Sequence, residues 1–199
     1  MRLKIVQAGD PVLREVAHPL SARQILSDDV QRLIRDMRET MHDAPGVGLA
    51  APQVGLPLQL AIVEDRAEIL RDLPPAQLAE RERKPVPFQV LINPVIRSHS
   101  GEVIEFFEGC LSVAGFLGLV PRARTVCVEY IDEQAQARVV EAAGWHARIL
   151  QHELDHLQGG LYIDRMRSRS FTCLENFNRH WKDRPVSEVV AALSQEGPA

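Results

Sequence analysis

The sequence of 199 residues lacks a long apolar run and lacks an obvious export signal. No stretch approaches the roughly 20 apolar residues that a helix needs to span a bilayer, so we expect a soluble protein with no membrane partner. The first seven residues, Met1 to Gln7, contain no apolar signal-peptide core. We therefore expect a bacterial cytoplasmic protein, and an organellar one only if a leader has been trimmed.

Cysteine is scarce, with only Cys110, Cys127 and Cys173 in the chain. An odd number at irregular spacing is not typical of a disulfide framework and indicates a reducing compartment. A cysteine among apolar residues is usually a small buried side chain, as we expect for Cys127 and Cys173. Cys110 differs because it follows a glycine at a break in the pattern, where a thiolate could act as a metal ligand.

An excess of positive charge is also missing, since 23 Lys and Arg stand against 27 Asp and Glu, for a formal net charge of -4. A nucleic-acid binder needs clustered Lys and Arg to contact phosphates. The only local basic run is short and consists of Arg165, Arg167 and Arg169. We therefore expect no direct binding of nucleic acid.

The composition that remains, 45% hydrophobic and 25% charged, fits one globular domain over residues 1–199. Apolar residues recur at helical spacing from 28 to about 42, which predicts a helix. Alternation predicts strands at 58–64, 89–97 and 102–107, the last two joined by a turn at 98–101, and a charged insertion lies at 69–87. A hairpin is predicted for 124–131 with 135–142. A short strand at 161–163 and helices at 171–181 and 187–193 are predicted to follow. Short connections between strands favour largely antiparallel sheets in an α+β fold.

One helical segment carries the pattern H-E-x-x-H at His152, Glu153 and His156. Residues four apart on a helix point from the same face, so the two imidazoles could bind one metal ion while Glu153 accepts a proton from water. Trp145 and Ile149 extend this face, and leucines form the adjacent stripe, which predicts a buried central helix. The pattern indicates a metal-dependent hydrolase, with the sheets packed around this helix.

A catalytic site of this class needs a third protein ligand, and three positions can be considered. The extended zinc-protease pattern would require a histidine where this chain has Tyr162. Glu175 could serve if the chain returned over the helix, which would make the protein a zinc endopeptidase. Cys110 is the third position. A non-catalytic, metal-stabilised interaction domain is a further alternative, and it would use four protein ligands.

An apolar loop rich in glycine, alanine and proline spans residues 44–55. Loops are usually polar, so a small, apolar one indicates a backbone pressed against the core or a ligand. No Lys and Ser or Thr follow its glycines at the spacing that a phosphate-binding loop requires.

Three motifs, Gly46-Val47-Gly48-Leu49-Ala50-Ala51-Pro52-Gln53, Glu108-Gly109-Cys110-Leu111-Ser112 and Gln151-His152-Glu153-Leu154-Asp155-His156, resemble those of peptide deformylase and occur in the same order. The resemblance extends from about Gly9 to about Met166. The segments 112–116, 120–122 and 164–172, with the insertion at 69–87, are most similar to the organellar-like, type 1A-like branch. The tail from about 167 diverges from compact bacterial members.

The resemblance implies that Cys110, His152 and His156 hold one divalent ion, with water as the fourth ligand. Fe(II) is favoured in this family, and Zn(II) or another divalent ion is possible. It further implies that Glu153 transfers the proton, while the Gln53 amide and the backbone N–H of Leu111 stabilise charge on the substrate oxygen.

The implied reaction removes the N-formyl group from the initiator methionine of new polypeptides and releases formate. Gly46 and Gly48 would leave room for an extended peptide to pair with the loop. Val47, Trp145 and Ile149 are predicted to form the pocket for the methionine side chain. The expected partners are N-formyl-Met nascent peptides and, near the exit tunnel, the ribosome.

Overall fold

The computed structural model describes residues 1–194, so the last five residues of the expected domain 1–199 lie outside the described part. Its α-helices are α1 Ala22–Ile25, α2 Asp28–Asp43, α3 Ala67–Arg71, α4 Pro75–Glu80, α5 Gly144–Leu157, α6 Leu174–His180 and α7 Val186–Ser194. Its strands are β1 Gly48–Ala50, β2 Leu60–Asp65, β3 Val86–His99, β4 Val103–Cys110, β5 Val113–Ala123, β6 Thr125–Ile131, β7 Ala137–Ala143 and β8 Thr172–Cys173. Short 3-10 turns lie at Pro11–Arg14, Ala51–Val54, Tyr162–Asp164 and Ser168–Ser170.

The strands form two antiparallel sheets. One has five strands in the order β1-β2-β3-β6-β7, and the other has three in the order β4-β5-β8. The predicted α+β class with antiparallel sheets around the H-E-x-x-H helix is confirmed. Among residues 1–194, no helix has the length and apolar character needed to cross a membrane.

Helix α2 covers one side of the five-stranded sheet and matches the helix predicted from residue 28 to about 42. It begins after Ser27, whose side chain accepts a hydrogen bond from the backbone N–H of Val30, a typical N-cap. Its apolar stripe, with Met37 and Met41 fully buried, packs in one core cluster with Ile62 and other sheet residues. The methionines are therefore core residues.

Helix α5 is buried between the sheets, as the sequence predicted. Ala147, Ile149, Leu150 and Leu154 form a second core cluster with side chains of β2, β3, β6 and β7. The helix ends before Gly159, which has a φ of 73°. A Cβ at Gly159 would lie 2.6 Å from the carbonyl oxygen of Arg14, so only glycine permits this close turn.

The two strands predicted on either side of residues 98–101 both exist, but they do not pair with each other as expected. β3 pairs with β6, whereas β4 pairs with β5 in the other sheet. The backbone of Ser100 still donates to Thr125 beyond the end of β3, and its hydroxyl accepts from Thr125. The chain thus follows β6 through the turn before it crosses to the second sheet.

The predicted strand at 161–163 is also wrong, because this segment forms a 3-10 turn at Tyr162–Asp164. The Asp164 side chain accepts a hydrogen bond from the backbone N–H of Leu161 at 2.8 Å. Such a local side-chain bond offers the backbone an alternative to a sheet. The predicted hairpin of β6 and β7 is confirmed.

The tail contains the two predicted helices, as α6 and α7, and one strand that was not predicted. β8 pairs with β5 through Phe116 opposite Cys173 and Leu117 opposite Thr172. The tail is therefore part of the second sheet.

Candidate metal centre

The three predicted metal ligands come together in the structure. The ligand atoms of Cys110, His152 and His156 all lie within 4.8 Å of one another, and the Sγ of Cys110 is 3.3 Å from the Nε2 of His156. Cys110 is the last residue of β4, while both histidines project from one face of α5. One thiolate and two imidazoles suit a borderline ion such as Zn(II) or Fe(II), so the donor set fits a metal.

Glu175 does not join these three ligands. It is exposed in the first turn of α6 and does not belong to the cluster of possible ligands found among residues 1–194. The geometry therefore gives no support to a zinc endopeptidase with Glu175 as third ligand.

Glu108 fixes the orientation of His152 from behind. Its Oε2 lies 2.9 Å from the Nδ1 of His152, and its two oxygens accept hydrogen bonds from Arg122 and Arg148 at 2.6 to 2.9 Å. Burial alone would raise the pKa of Glu108, but the hydrogen bonds from His152 and Arg122 outweigh it and hold the pKa well below its usual range. The carboxylate stays ionised and leaves the Nε2 of His152 to face a metal.

The two histidines have opposite electrostatic environments. Burial lowers the pKa of His156, and the charges of His152 and Arg122 lower it further, which favours the neutral imidazole that a metal ligand requires. Burial also disfavours charged His152, but its contacts with Cys110 and Glu108 outweigh this and raise its pKa. We therefore expect metal binding to release a proton.

Glu153 is a buried carboxyl group beside the cluster. It is 4% exposed, and its Oε2 has no hydrogen-bond partner within residues 1–194. Burial raises the pKa of Glu153 to about 7. A carboxyl group with a pKa near neutrality can both accept and return a proton under physiological conditions.

The apolar loop approaches Glu153 so closely that only glycine fits. A Cβ at Gly48 would lie 2.1 Å from the Oε1 of Glu153, and one at Gly46 would lie 3.0 Å from the Cδ1 of Leu111. The glycines thus make room for side chains of this protein itself, in addition to lining the cavity. That the glycines also leave room for an extended peptide stays a prediction.

Gln53 is held in a fixed orientation at the same site. It is 1% exposed, and its Oε1 accepts a hydrogen bond from the backbone N–H of Ala50 at 2.8 Å. Its Nε2 is thereby directed toward the Oγ of Ser112 at 3.3 Å and the Sγ of Cys110 at 3.4 Å. The amide therefore presents a donor next to the proposed metal position.

An open cavity of about 320 Å³ leads to the cluster. Its wall contains the predicted Gly46, Val47, Gly48, Gln53, Cys110, Leu111, His152 and Glu153, together with Pro45, Gly109, Val113, Gly115, Phe116, Leu117 and Leu174. The volume is at the lower end of the range for small-molecule sites.

Trp145 and Ile149 are not among the residues of this wall, and their assignment to the side-chain pocket stays a prediction. Ile149 is buried in the core cluster on which Val47 and Trp145 both pack. Trp145 is the second residue of α5, seven residues before His152 and therefore roughly 10 Å away along the helix axis. It packs edge-on against Phe106, and the Cζ of Arg81 lies 5.2 Å from its ring. The face of α5 that carries His152 therefore extends along the helix beyond the cavity.

The contacts of Glu108 and Ser112 at the site were not predicted from the sequence, although both residues lie in the second motif. Phe106, Glu108 and Cys110 alternate along β4, so their side chains point to the same face of the strand. That spacing could have placed Glu108 beside the metal ligand. The position of Leu174 could not be predicted, because it depends on the pairing of β8.

Comparisons with known proteins agree with this site. The family model for polypeptide deformylase matches residues 2–171. Peptide deformylase 1A, chloroplastic/mitochondrial, of Arabidopsis thaliana is 44% identical over 193 residues, which cover 97% of this chain and 70% of the relative. Peptide deformylase 1 of Streptomyces coelicolor is 43% identical over 199 residues, which cover 99% of this chain and 89% of the relative.

Solved structures show the same fold. The Met-Ala-Ser-bound class I type b peptide deformylase of Acinetobacter baumannii superimposes with a TM-score of 0.74 at 34% identity, covering 83% of this chain and 99% of that one. A peptide deformylase of Synechococcus elongatus in complex with actinonin gives a TM-score of 0.69 at 39% identity, covering 83% of this chain and 79% of that one. From its sequence, its fold and its Cys-His-His group, this chain belongs to the peptide deformylase family of metal-dependent hydrolases.

Proposed function

We propose that this chain removes the formyl group from the N-terminal methionine of new polypeptides and releases formate. The observation that carries the proposal is the buried Glu153, whose Oε2 has no partner within residues 1–194, in a cavity wall that also contains Cys110 and His152 of the Cys-His-His group. The reaction is the hydrolysis of an amide, which needs an activated water molecule, a proton carrier and a site for negative charge.

We assign Cys110, His152 and His156 as the ligands of one divalent ion, and we favour Fe(II). When bound, the ion supplies Lewis-acid chemistry and lowers the pKa of water. The thiolate makes the ligand set more negative than three histidines would, and it suits Fe(II) as well as Zn(II). Metal analysis of protein purified without oxygen tests this choice, and a stoichiometric content of zinc with full activity would contradict it.

Glu153 is assigned as the group that takes the proton from water and returns it to the departing amine. Its pKa of about 7 matches both steps, because a stronger base would not release the proton and a weaker one would not accept it. Its position against Gly48 leaves it little freedom to turn away.

Gln53 and Leu111 are assigned to the charge that develops on the formyl oxygen. The bond from Ala50 fixes the Gln53 amide so that its N–H groups face the cluster. The backbone beside this N–H is also held, because the carbonyl of Leu111 in the following peptide unit accepts a hydrogen bond from the Nε2 of Gln7 at 3.0 Å. Donors that are already in place stabilise a transition state without reorganisation.

The cavity wall adds apolar residues to the predicted methionine pocket of Val47, Trp145 and Ile149. Val47, Leu111 and Leu117 supply apolar surface on the wall, and Val47 packs on the cluster that contains Ile149. The methionine side chain would contact these residues while the formyl group reaches the cluster. Substitution of Leu117 by Ala should raise KM for formyl-Met-Ala, and an unchanged KM would remove it from the pocket.

Two substitutions test the proposal as a whole. Glu153→Ala should retain the metal and lose roughly 100-fold to 10,000-fold in formate release from formyl-Met-Ala, as expected for loss of a general base. Cys110→Ala should lose the metal as well as the activity. Cys127→Ala is the matched control, since Cys127 is a free thiol on β6 outside the cluster. Full activity of Glu153→Ala would refute the proton-transfer role.

We further propose that residues 1–199 act as one catalytic domain in the cytoplasm of a bacterium, with nascent chains as substrates near the ribosome. The three free cysteines support a reducing compartment, and bacterial relatives at 42 to 44% identity support the source. Cosedimentation of the chain with translating and empty ribosomes tests the association, which absence from both pellets would contradict.

A further inference from the structure

The mouth of the cavity carries an apolar surface that the proposed chemistry does not use. Phe116 and Phe171 stack with their ring centroids 5.0 Å apart and their planes inclined by 8°. Their exposed fractions are 42% and 46%, and Leu174 beside them is 49% exposed. Phe116 and Leu174 also line the cavity. We call Phe116, Phe171 and Leu174 the apolar rim.

The rim is built by the pairing of the tail with the second sheet. β8 consists of Thr172 and Cys173 only, and it lies beside Phe116 and Leu117 of β5. Phe171 and Leu174 flank this two-residue strand, so the pairing holds both at the cavity mouth. Leu174 lies beyond the residues that the family model matches, 2–171. The rim is thus partly a contribution of the tail of this chain.

Burial distinguishes the two ends of the cavity. At the inner end, Glu153 and His156 are 4% and 1% exposed, whereas the side chains of the rim are nearly half exposed. When the formylated end of a polypeptide reaches Glu153, the residues that follow it therefore leave the cavity past the rim. An extended peptide advances about 3.3 Å per residue, so its third and fourth residues lie roughly 7 to 10 Å from the first.

We propose that the apolar rim binds apolar side chains at the third and fourth positions of the formylated polypeptide and thereby favours such substrates. The inference rests on the proposed deformylase activity. Large apolar side chains grouped at one mouth mark a binding surface more often than scattered ones do. We expect the rim to contact the peptide chain and not the reacting bond, so that its contacts are equal in the ground state and the transition state. Its effect therefore falls on KM and leaves kcat unchanged.

Three synthetic substrates test the proposal: formyl-Met-Ala, formyl-Met-Ala-Leu-Leu and formyl-Met-Ala-Ser-Ser. The parent protein should show kcat/KM about fivefold higher for the Leu-Leu peptide than for the Ser-Ser peptide, from partial burial of the leucines. The double variant Phe171→Ala, Leu174→Ala should lose this preference through a higher KM for the Leu-Leu peptide. Phe171→Leu should keep the preference, because an apolar side chain remains.

Val139→Ala is the control, since Val139 is 62% exposed on β7 of the other sheet and should leave all three rates unchanged. Equal kcat/KM of the parent for both tetrapeptides would overturn the proposal, as would a preference that survives in the double variant. Failure of the metal-loaded parent to release formate from formyl-Met-Ala would instead refute the proposed function, and the inference with it. Circular dichroism confirms that each variant is folded.

Discussion

Gly48→Ala is the most direct test of the geometry at the proposed metal centre. The added methyl carbon would lie 2.1 Å from the Oε1, 2.5 Å from the Cδ and 2.9 Å from the Cγ of Glu153. Protein Cβ atoms essentially never approach other atoms closer than 3.0 Å, so the Glu153 carboxylate must move by roughly 1 Å. The carboxylate can relieve this clash by a shift into the cavity that it lines, which takes it away from its position beside the cluster.

The expected loss of activity follows from this displacement. A misplacement of about 1 Å in a catalytic group can lower the rate about 100-fold. Overpacking of a buried site should at the same time lower the free energy of unfolding by about 1 to 3 kcal/mol. The metal should stay bound, because Cys110, His152 and His156 are not displaced directly.

The assay is formate release from formyl-Met-Ala, with metal content and chemical denaturation measured on the same preparation. Gly101→Ala is the matched control, because a Cβ at Gly101 meets no atom within 4 Å. In the Glu153→Ala background, Gly48→Ala should lower activity no further, since the clashing partner is gone. A single Gly48→Ala variant with activity within twofold of the parent would refute the reasoning.

Two further predictions concern charges outside the reaction itself. Glu108→Ala should destabilise the fold by about 3 to 5 kcal/mol in urea denaturation, because it leaves buried Arg148 without a carboxylate and Arg122 with Asp155 alone. A loss below about 1 kcal/mol would contradict this. Although partial burial alone would raise the pKa of Glu64, hydrogen bonds from Arg38 and His42 lower it. Ionised Glu64 therefore stabilises the fold above its ordinary pKa of 4.5, and this contribution is lost as the pH falls through the lowered value. Glu64→Gln should lower the free energy of unfolding by about 1 kcal/mol at pH 7, and this difference from the parent should shrink in acid. An equal decrease at pH 7 and pH 3 would contradict the assignment.

The features that were predictable from the sequence are those set by local spacing. Helix α2 follows from its apolar period and its Ser27 cap, and the face of α5 follows from the four-residue interval between His152 and His156. The hairpin of β6 and β7 follows from a short polar turn between two alternating runs. The meeting of Cys110 with this face is a long-range contact, and it was expected only from the resemblance of three motifs to a known family.

The errors concern partners that are distant in the chain. Alternation marked β3 and β4 as strands, but it carries no information on which strand pairs with which. The helical face of α5 likewise gave no sign that Arg81, from the chain before β3, lies over the ring of Trp145. The two-residue β8 is too short to leave a periodic pattern, so the apolar rim could not be foreseen.

The buried ionic group around Glu108 determines where α5 lies along its own axis relative to the sheet. Leucine and isoleucine contacts between a helix and a sheet would be nearly as good after a slide of one helical turn, about 5.4 Å. A buried carboxylate that accepts hydrogen bonds from Arg122 of β5 and from Arg148 and His152 of α5 has no such alternative. It therefore fixes the position of α5 relative to β4 and β5. Replacement of the whole ionic group by apolar residues is expected to keep or raise stability, while it frees the helix to settle where its histidines no longer face the thiolate.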